Sequence, residues 1–162
     1  MFMLSPRSYI TGAFDVLYNP LTSYIHKRLS ENNNDWWTAY VLKAEGAMFR
    51  DSETHQPLPT GGDLKTLREY FDEYNILKLV MRREIKKLFP EEIVGMFAIL
   101  LGIRSDWEQR EIRTTSQADR AITQMVSFAK LLNSPSAAEK LAEIAKKMKT
   151  DETVKTQKRS TQ

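Results

Sequence analysis

The side chains with the clearest capacity for chemistry are basic, and they fall into two groups along the sequence. The members are Lys78, Arg82, Arg83, Lys86 and Lys87 in the first group and Arg104, Arg110 and Arg113 in the second. The second group surrounds a predicted helix end. Lys and Arg neutralise phosphate charge, so either group could bind a nucleic-acid backbone. An ordinary solvated face is the alternative interpretation of each.

Histidines and carboxylates, which would supply acid–base catalysis, are poorly placed for it. His26 has no second metal ligand three or four residues away, so we expect a solvated or capping side chain. The acidic pairs Asp72-Glu73 and Glu91-Glu92 are adjacent in sequence, and adjacent helical residues point about 100° apart. We therefore interpret each pair as solvated surface rather than as a catalytic or metal-binding pair.

Composition excludes several other kinds of chemistry. The 162 residues include no cysteine and two histidines, which rules out a disulfide scaffold, a thiolate nucleophile and a cysteine-ligated metal. The Gly61-Gly62 pair lacks both the preceding strand and the following Lys-Ser/Thr of a phosphate-binding loop. We therefore expect neither a metal nor a cofactor. The net charge of +3 permits nucleic-acid contact without requiring it.

Helices must position these side chains, because apolar residues recur every three or four positions through most of the chain. An apolar stripe over residues 10–29 predicts the first helix, with a kink or restart at Pro20. Asp35 is positioned to cap a short helix over residues 36–41. The polar, proline-containing segment 50–62 is the one substantial predicted loop.

Four further helices are predicted after that loop. Asp63 is positioned to cap the longest of them, over residues 64–88. The next covers residues 91–107, and its first half is apolar nearly all round, as expected of a helix buried centrally in a bundle. Two amphipathic helices follow, over residues 121–132 and 134–148.

Together these helices predict an all-α fold, an antiparallel bundle of about five to six helices over residues 1–148. Residues 149–162 have no apolar face to bury, so we expect them to form a disordered polar tail or linker. The longest apolar run, Ile93–Ile103, is far shorter than the roughly 20 residues of a membrane span. No secretory signal opens the sequence. We therefore expect a cytoplasmic protein without membrane contact.

One stretch of the chain has an order of motifs that is typical of a known family. The sequence GIRSDWEQREIRTTSQADRAITQMVSFAKLL, from Gly102 to Leu132, resembles the end of the Swt-type HEPN domain, an all-α module of the higher-eukaryote and prokaryote nucleotide-binding superfamily. In that family an Arg-Asn-x-Trp-Ala-His core precedes a polar segment, an Asp-x-x-Tyr/Arg-Ala motif and a Leu-rich helix. The matching positions are Arg104 to Gln109 for the core and Ser116, Asp119, Arg120 and Ala121 for the second motif.

The resemblance, which extends over residues 8–148, implies a site and a chemistry. Active members cleave RNA without a metal and typically act as dimers. An Arg binds the scissile phosphate, and a His that follows after four to six intervening residues transfers the proton. Here Arg104 takes the phosphate role and Ser105 the polar position beside it. Gln109 stands in place of the His, and an amide has no pKa suited to acid–base catalysis. The predicted catalytic motif is therefore degenerate.

A literal Arg-His pair with the spacing of that family occurs at Arg50 and His55. The pair lies in the predicted loop rather than on a helix, and about 0.4 such pairs are expected by chance in a chain of this composition. We interpret it as a chance match. Full activity of an Arg50→Ala variant would confirm that interpretation.

These observations predict an RNA-binding or protein-interaction module of a defence or RNA-processing system that has lost catalysis. RNA, a second copy of the chain and a larger protein are the expected partners. Two alternatives remain open. One is an active metal-independent endoribonuclease in which His55 or a partner subunit supplies the proton, and the other is a purely structural adaptor. The predicted nucleic-acid-binding residues are Lys78, Arg82, Arg83, Arg110 and Arg113.

Overall fold

The computed structural model of the chain describes residues 4–45 and 58–160, and these residues form an all-α fold without strands. The all-α part of the predicted fold is therefore confirmed, whereas the described residues form eight α-helices and a π-helical turn rather than the predicted five to six helices. They fall into two compact units: unit 1 holds the residues up to Pro20 and from Gly102 onward, and unit 2 holds Leu21–Leu101. The helices are α1 (Pro6–Asn32), a π-helical turn (Trp37–Leu42), α2 (Lys43–Glu45), α3 (Leu64–Tyr70), α4 (Glu73–Val80), α5 (Arg83–Lys86), α6 (Glu91–Glu108), α7 (Thr115–Leu131) and α8 (Pro135–Ser160).

The first helix buries the apolar stripe that the sequence predicts. Pro20 lies inside α1, which runs from Pro6 to Asn32 without the predicted restart. A proline removes one backbone donor from a helix, but the burial of apolar side chains on both sides of it favours continuation. The buried members of the stripe are Ile10, Phe14, Leu17, Leu21, Ile25 and Leu29.

Three short helices replace the single long helix predicted over residues 64–88, so that prediction is wrong. The backbone is extended at Phe71, where α3 ends, and again at Arg82, just before α5. Apolar spacing alone did not reveal these breaks, because apolar residues still recur every three or four positions across them. The buried residues in this segment include Leu67, Phe71, Ile76, Leu77, Leu79, Val80 and Ile85.

Two aspartates mark the starts of α3 and α4. Asp63 caps α3, as predicted, by accepting a hydrogen bond from the Thr66 backbone N–H at 2.9 Å. This bond and one from the Thr66 hydroxyl hold the pKa of Asp63 below its ordinary value. Asp72 caps α4 in the same way, accepting from the Asn75 backbone N–H at 2.8 Å. The capping role of Asp72 explains physically why the long helix is interrupted there.

The aromatic side chains that follow α1 pack into the core of unit 2. The Nε1 of Trp37 donates a hydrogen bond to the carbonyl of Pro59 at 2.9 Å. A Cβ added to Gly62 would lie 2.7 Å from the Trp37 ring, so this position fits only glycine without a shift. Trp36 meets the ring of His26 edge-on at 5.0 Å between centroids. His26 is therefore half-buried against an aromatic ring, and not the solvated or capping side chain predicted.

A short helix does follow residue 35, but it is a π-helical turn and its start differs from the prediction. Trp36 is the residue that precedes Trp37–Leu42, and no side chain caps that end. The predicted Asp35 cap therefore does not form. The predicted loop 50–62 lies mostly outside the described residues, and residues 58–62 within it are not helical.

The apolar first half of α6 is not buried all round, contrary to prediction. Its inward face is buried, whereas the opposite face is exposed and includes Ile99 at 40%. Glycine and alanine also contribute to that exposed face, and such small residues raise the apolar content while costing little when solvated. Within residues 4–45 and 58–160, no helix combines the length and the apolar character needed to cross a membrane. The buried residues are Ile93, Phe97 and Leu100, and the exposed ones include Gly95 and Ala98.

The two last helices, α7 and α8, pack against each other as a hairpin in unit 1. Thr114 and Gln117 form a capping box at the start of α7, with the Gln117 N–H donating to the Thr114 hydroxyl at 3.1 Å. The predicted inward residues of α7 are buried, apart from the half-buried Leu132 at its end. The buried set is Ala118, Ala121, Ile122, Met125, Phe128 and Ala129 from α7 with Ala137, Ala138, Leu141 and Met148 from α8.

Helix α8 extends to Ser160, where the sequence predicts a disordered tail from residue 149. Side chains of residues 152–157 are exposed, so the extension has no buried face, as the sequence indicates. Two side-chain contacts nevertheless occur in this part of α8. The Thr153 hydroxyl donates to the Lys149 carbonyl at 3.0 Å, and the buried Tyr9 hydroxyl of α1 donates to the Asp151 carboxylate.

Candidate functional site

The candidate site is built around Trp107, near the end of α6 in unit 1. The indole Nε1 donates hydrogen bonds to the Thr11 hydroxyl at 2.9 Å and to the Arg7 carbonyl at 3.2 Å. In return, the Nε of Arg7 donates to the Trp107 carbonyl at 2.9 Å. These bonds fix the ring against the first turns of α1, so Trp107 serves as a rigid support for the side chains that pack on it.

Two guanidinium groups lie against the Trp107 ring. The Cζ of Arg7 is 4.0 Å and that of Arg104 is 4.4 Å from the ring centroid, both within cation–π distance. Arg104 also pairs with Glu108 at 3.3 Å. The Arg104 side chain is 12% exposed and that of Glu108 is 62% exposed. An ion pair whose acid is this exposed is weak, so an incoming anion could displace Glu108 from Arg104.

The three residues of the predicted catalytic motif lie at the end of α6 and just beyond it. Ser105 and Gln109 are the pair in contact, with the Gln109 Nε2 donating to the Ser105 hydroxyl at 3.5 Å. Gln109 is exposed and follows the last residue of α6. Arg104 contacts Trp107 and Glu108, and Gln109 supplies an amide at the position where the family motif has a histidine.

Arg110 occupies a backbone conformation that arginine rarely adopts. The end of α6 is a Schellman motif: the Glu111 N–H donates to the Asp106 carbonyl at 2.8 Å, and the Arg110 N–H donates to the Trp107 carbonyl at 3.2 Å. Arg110 is the left-handed residue of this motif, with φ of 59°. For residues other than glycine and asparagine this conformation costs about 1–2 kcal/mol.

The end of α7 offers a direct comparison within the same chain. It closes with the same pair of hydrogen bonds, from Ser134 to Ala129 at 2.9 Å and from Asn133 to Lys130 at 3.0 Å. Here the left-handed residue is Asn133, with φ of 56°, and asparagine tolerates this conformation. A helix of this fold can therefore end in the same motif with a residue that adopts the left-handed conformation at lower free-energy cost. The arginine at position 110 is not needed to end α6.

Arg113 completes the corner between α6 and α7. Its Nε donates to the Arg110 carbonyl at 3.0 Å, and its backbone N–H donates to the Gln117 side chain at 2.8 Å. Ile112, which is 7% exposed, anchors the corner in the core of unit 1. Arg110 and Arg113 are both exposed, so the corner presents two arginines to solvent beside the Arg104 end of α6.

The other predicted basic group lies in unit 2 and is exposed throughout. The break at Arg82 divides the group between α4 and α5, so its members do not lie along one continuous helix. Lys78 at the end of α4 lies 5.2 Å from the Tyr74 ring. The exposed members are Lys78, Arg82, Arg83, Lys86 and Lys87. Exposure agrees with either of the two predicted interpretations, a phosphate-binding surface or a solvated face.

The Arg50–His55 pair and a metal site are the other possibilities that were considered in the sequence. Arg50 and His55 lie outside the described residues. Among residues 4–45 and 58–160, no three His, Asp or Glu side chains are grouped as metal ligands would be.

Arg7 is the residue of this site that the sequence did not single out. Its contact partner Trp107 is 100 positions away, and no local pattern links two residues at that distance. The weak signal available was the Arg7-Thr11 spacing of four, which places both side chains on one face of the first helix beside its apolar stripe.

Comparisons with known proteins provide no relative: no family model matches the chain, and no curated protein or solved structure matches it significantly. The resemblance to the HEPN family therefore depends on the order of the motifs in the sequence, and what it implies is a proposal.

Proposed function

We propose that the chain is a HEPN-like helical module with a degenerate motif, and that it binds the phosphate backbone of single-stranded RNA in a defence or RNA-processing system. Arg104, Arg110 and Arg113 are the proposed contacts in unit 1. Lys78, Arg82 and Arg83, from the basic group of unit 2, are proposed to make further contacts with backbone phosphates. This proposal joins the motif order in the sequence to the cluster of arginines at the corner between α6 and α7.

The left-handed backbone of Arg110 is the observation that carries the proposal. Asn133 occupies the equivalent position at the end of α7, so an arginine is not required by this helix ending. Costly backbone conformations that folding does not require are found mainly at functional sites. The exposed guanidinium of Arg110 next to Arg113 and Arg104 is suited to binding phosphate, for which arginine has the best side-chain geometry.

Binding rather than cleavage follows from the chemistry of position 109. The Gln109 amide neither donates nor accepts a proton near neutral pH, and its contact is with the Ser105 hydroxyl. General acid–base catalysis contributes about 10²–10⁴-fold to rates, so its loss leaves little activity. Incubation of the wild-type chain with RNA in the presence of a chelator is expected to leave the RNA intact.

A histidine returned to position 109 tests the resemblance itself. If the register with the family is right, Gln109→His gains metal-independent cleavage, and adding Arg104→Ala removes it. A Gln109→Asn variant serves as the control, since it keeps an amide at this position. Failure of Gln109→His to cleave any RNA that the chain binds would contradict the assigned register.

The binding proposal is tested by fluorescence anisotropy with a labelled single-stranded oligonucleotide at about 50 mM salt, where phosphate-driven affinity is high. Arg113→Ala is expected to weaken binding and to lower the salt slope by about 0.7. Arg120→Ala removes the same charge from an exposed position of α7 and is the matched control. Wild-type affinity in both variants, or no binding by the wild-type chain, would contradict the proposal and favour a structural adaptor.

The family resemblance also supports a second copy of the chain as a partner. The exposed face of α6 offers an apolar side chain for such a contact, because Ile99 is 40% exposed. The molar mass in solution tests this part of the proposal: the wild-type chain is expected to be dimeric and Ile99→Glu monomeric. The added Cβ of a Gly95→Ala variant meets nothing within 4 Å in the single chain. Weaker dimerisation of this variant would therefore show that the second copy approaches closely at Gly95.

A further inference from the structure

Arg7 has the properties of a ligand-binding arginine, although the sequence motifs do not include it. Its guanidinium is held at two points, by the Nε hydrogen bond to the Trp107 carbonyl at 2.9 Å and by packing at 4.0 Å from the Trp107 ring. A guanidinium has five N–H donors, and the Nε bond uses one of them. Within residues 4–45 and 58–160, the structure gives the Nη1 and Nη2 of Arg7 no hydrogen-bond partner.

This arrangement prepares Arg7 for an oxyanion. Binding through an arginine normally carries the entropic cost of ordering a long side chain, and here the side chain is already ordered by Trp107. The planar pair of Nη groups matches two oxygens of one phosphate. A lysine in the same place would supply the charge but not this two-point geometry.

The charges around Arg7 favour a negative ligand. Arg104 lies against the same indole ring, with its Cζ 4.4 Å from the centroid. Arg7 also lies in the first turn of α1, a helix of 27 residues with no acidic side chain in that turn, so its N-terminal dipole adds positive potential. Arg104 is paired with Glu108, whose side chain is 62% exposed.

We infer that Arg7 binds a phosphate group of the ligand directly at the junction of α1 with the end of α6, and that Arg104, which packs on the same Trp107 ring, adds positive charge to this site. The inference rests on the proposed function, whose ligand is RNA, and names the group of that ligand that is bound here. The phosphate belongs either to a diester in the RNA backbone or to a terminal monoester.

Two substitutions separate the geometry of Arg7 from its charge. Arg7→Lys keeps the charge, so we expect about fivefold weaker RNA binding with an unchanged salt slope. Arg7→Ala removes both, so we expect about tenfold weaker binding and a slope lower by about 0.7. Arg120→Lys and Arg120→Ala are the matched controls and are expected to bind as the wild-type chain does. Thermal unfolding identifies any variant that fails to fold.

The source of the phosphate is distinguished by using oligonucleotides with a 5′-phosphate and with a 5′-hydroxyl. If a backbone diester is bound, Arg7→Ala weakens both ligands equally. If a terminal monoester is bound, only the phosphorylated oligonucleotide loses affinity. Suppose that the wild-type chain binds RNA and that both Arg7 variants bind each oligonucleotide with the wild-type affinity. This result would overturn the inference but would not contradict the proposed function.

A measurement on the wild-type chain separates the two remaining cases. The Nε–H signal of Arg7, assigned through its contact with Trp107, is followed by nuclear magnetic resonance while inorganic phosphate replaces chloride at constant ionic strength. A shift of this signal in a chain that binds no RNA would support the site while contradicting the proposed function. No shift in such a chain would overturn both.

Discussion

Arg7 and Trp107 bind each other twice: the Nε of Arg7 donates to the Trp107 carbonyl at 2.9 Å, and the Nε1 of Trp107 donates to the Arg7 carbonyl at 3.2 Å. The contact joins residues 100 positions apart and fixes the ring on which Arg104 also packs. It explains how the guanidinium groups of Arg7 and Arg104 are held in order on one aromatic ring.

Replacing Arg110 with glycine is expected to stabilise the chain and to weaken RNA binding together. Glycine removes the left-handed strain of about 1–2 kcal/mol but adds freedom to the unfolded chain, which leaves a net gain of about 0.5–1 kcal/mol. Denaturant unfolding measures the gain, and anisotropy measures the loss of one phosphate contact. Asn133→Gly is the matched control, and we expect it to change stability little because asparagine already tolerates this conformation. A destabilised Arg110→Gly chain would contradict the strain argument.

The close approach of Gly62 to Trp37 predicts a difference between two neighbouring glycines. Gly62→Ala places a Cβ 2.7 Å from the buried indole, and we expect it to lower the free energy of unfolding by about 2 kcal/mol. A Cβ at Gly61 meets nothing within 4 Å, so Gly61→Ala should leave stability unchanged or slightly raised. Chemical denaturation of both variants measures the difference. Equal stabilities would show that the indole moves aside without cost.

Alkaline stability reports on the contact between Tyr9 and the distal part of α8. Burial, with the neighbouring Asp151 carboxylate, raises the pKa of Tyr9 from 10.0 to about 12. Between these values the unfolded chain has released a proton that the folded chain still holds. The stabilisation is therefore complete below pH 10 and is lost as the pH rises to about 12. Tyr9→Phe should remove this part of the pH dependence, and an unchanged profile would contradict the assigned contact.

Local signals in the sequence predicted the parts of the fold that depend on neighbours in the chain. The buried stripe of α1, the Asp63 cap and the amphipathic face of α7 each follow from residues within a few turns. The break at Asp72 was missed because aspartate can either cap a helix or be solvated within one, and apolar spacing does not distinguish these. The exposed side of α6 was not predicted, because glycine and alanine count as apolar residues in the sequence pattern but do not require burial.

The candidate site was predicted in part, and for the same reason. Arg104, Arg110 and Arg113 are close in sequence, so their clustering around the end of α6 could be anticipated. Arg7 could not, because its place on Trp107 depends on a tertiary contact between α1 and α6. The strain at Arg110 was also hidden, since a sequence does not reveal which residue adopts a positive φ.

The salt dependence of RNA binding tests the central claim most directly. Contacts from Arg7, Arg104, Arg110 and Arg113 with a single strand predict that log K falls with log salt concentration at a slope of about −3, at about 0.7 for each phosphate neutralised. Additional contacts from the basic group of unit 2 would steepen it. The measurement is a series of anisotropy titrations of the wild-type chain at increasing salt. Binding that is absent at low salt, or that does not change with salt, would contradict the account.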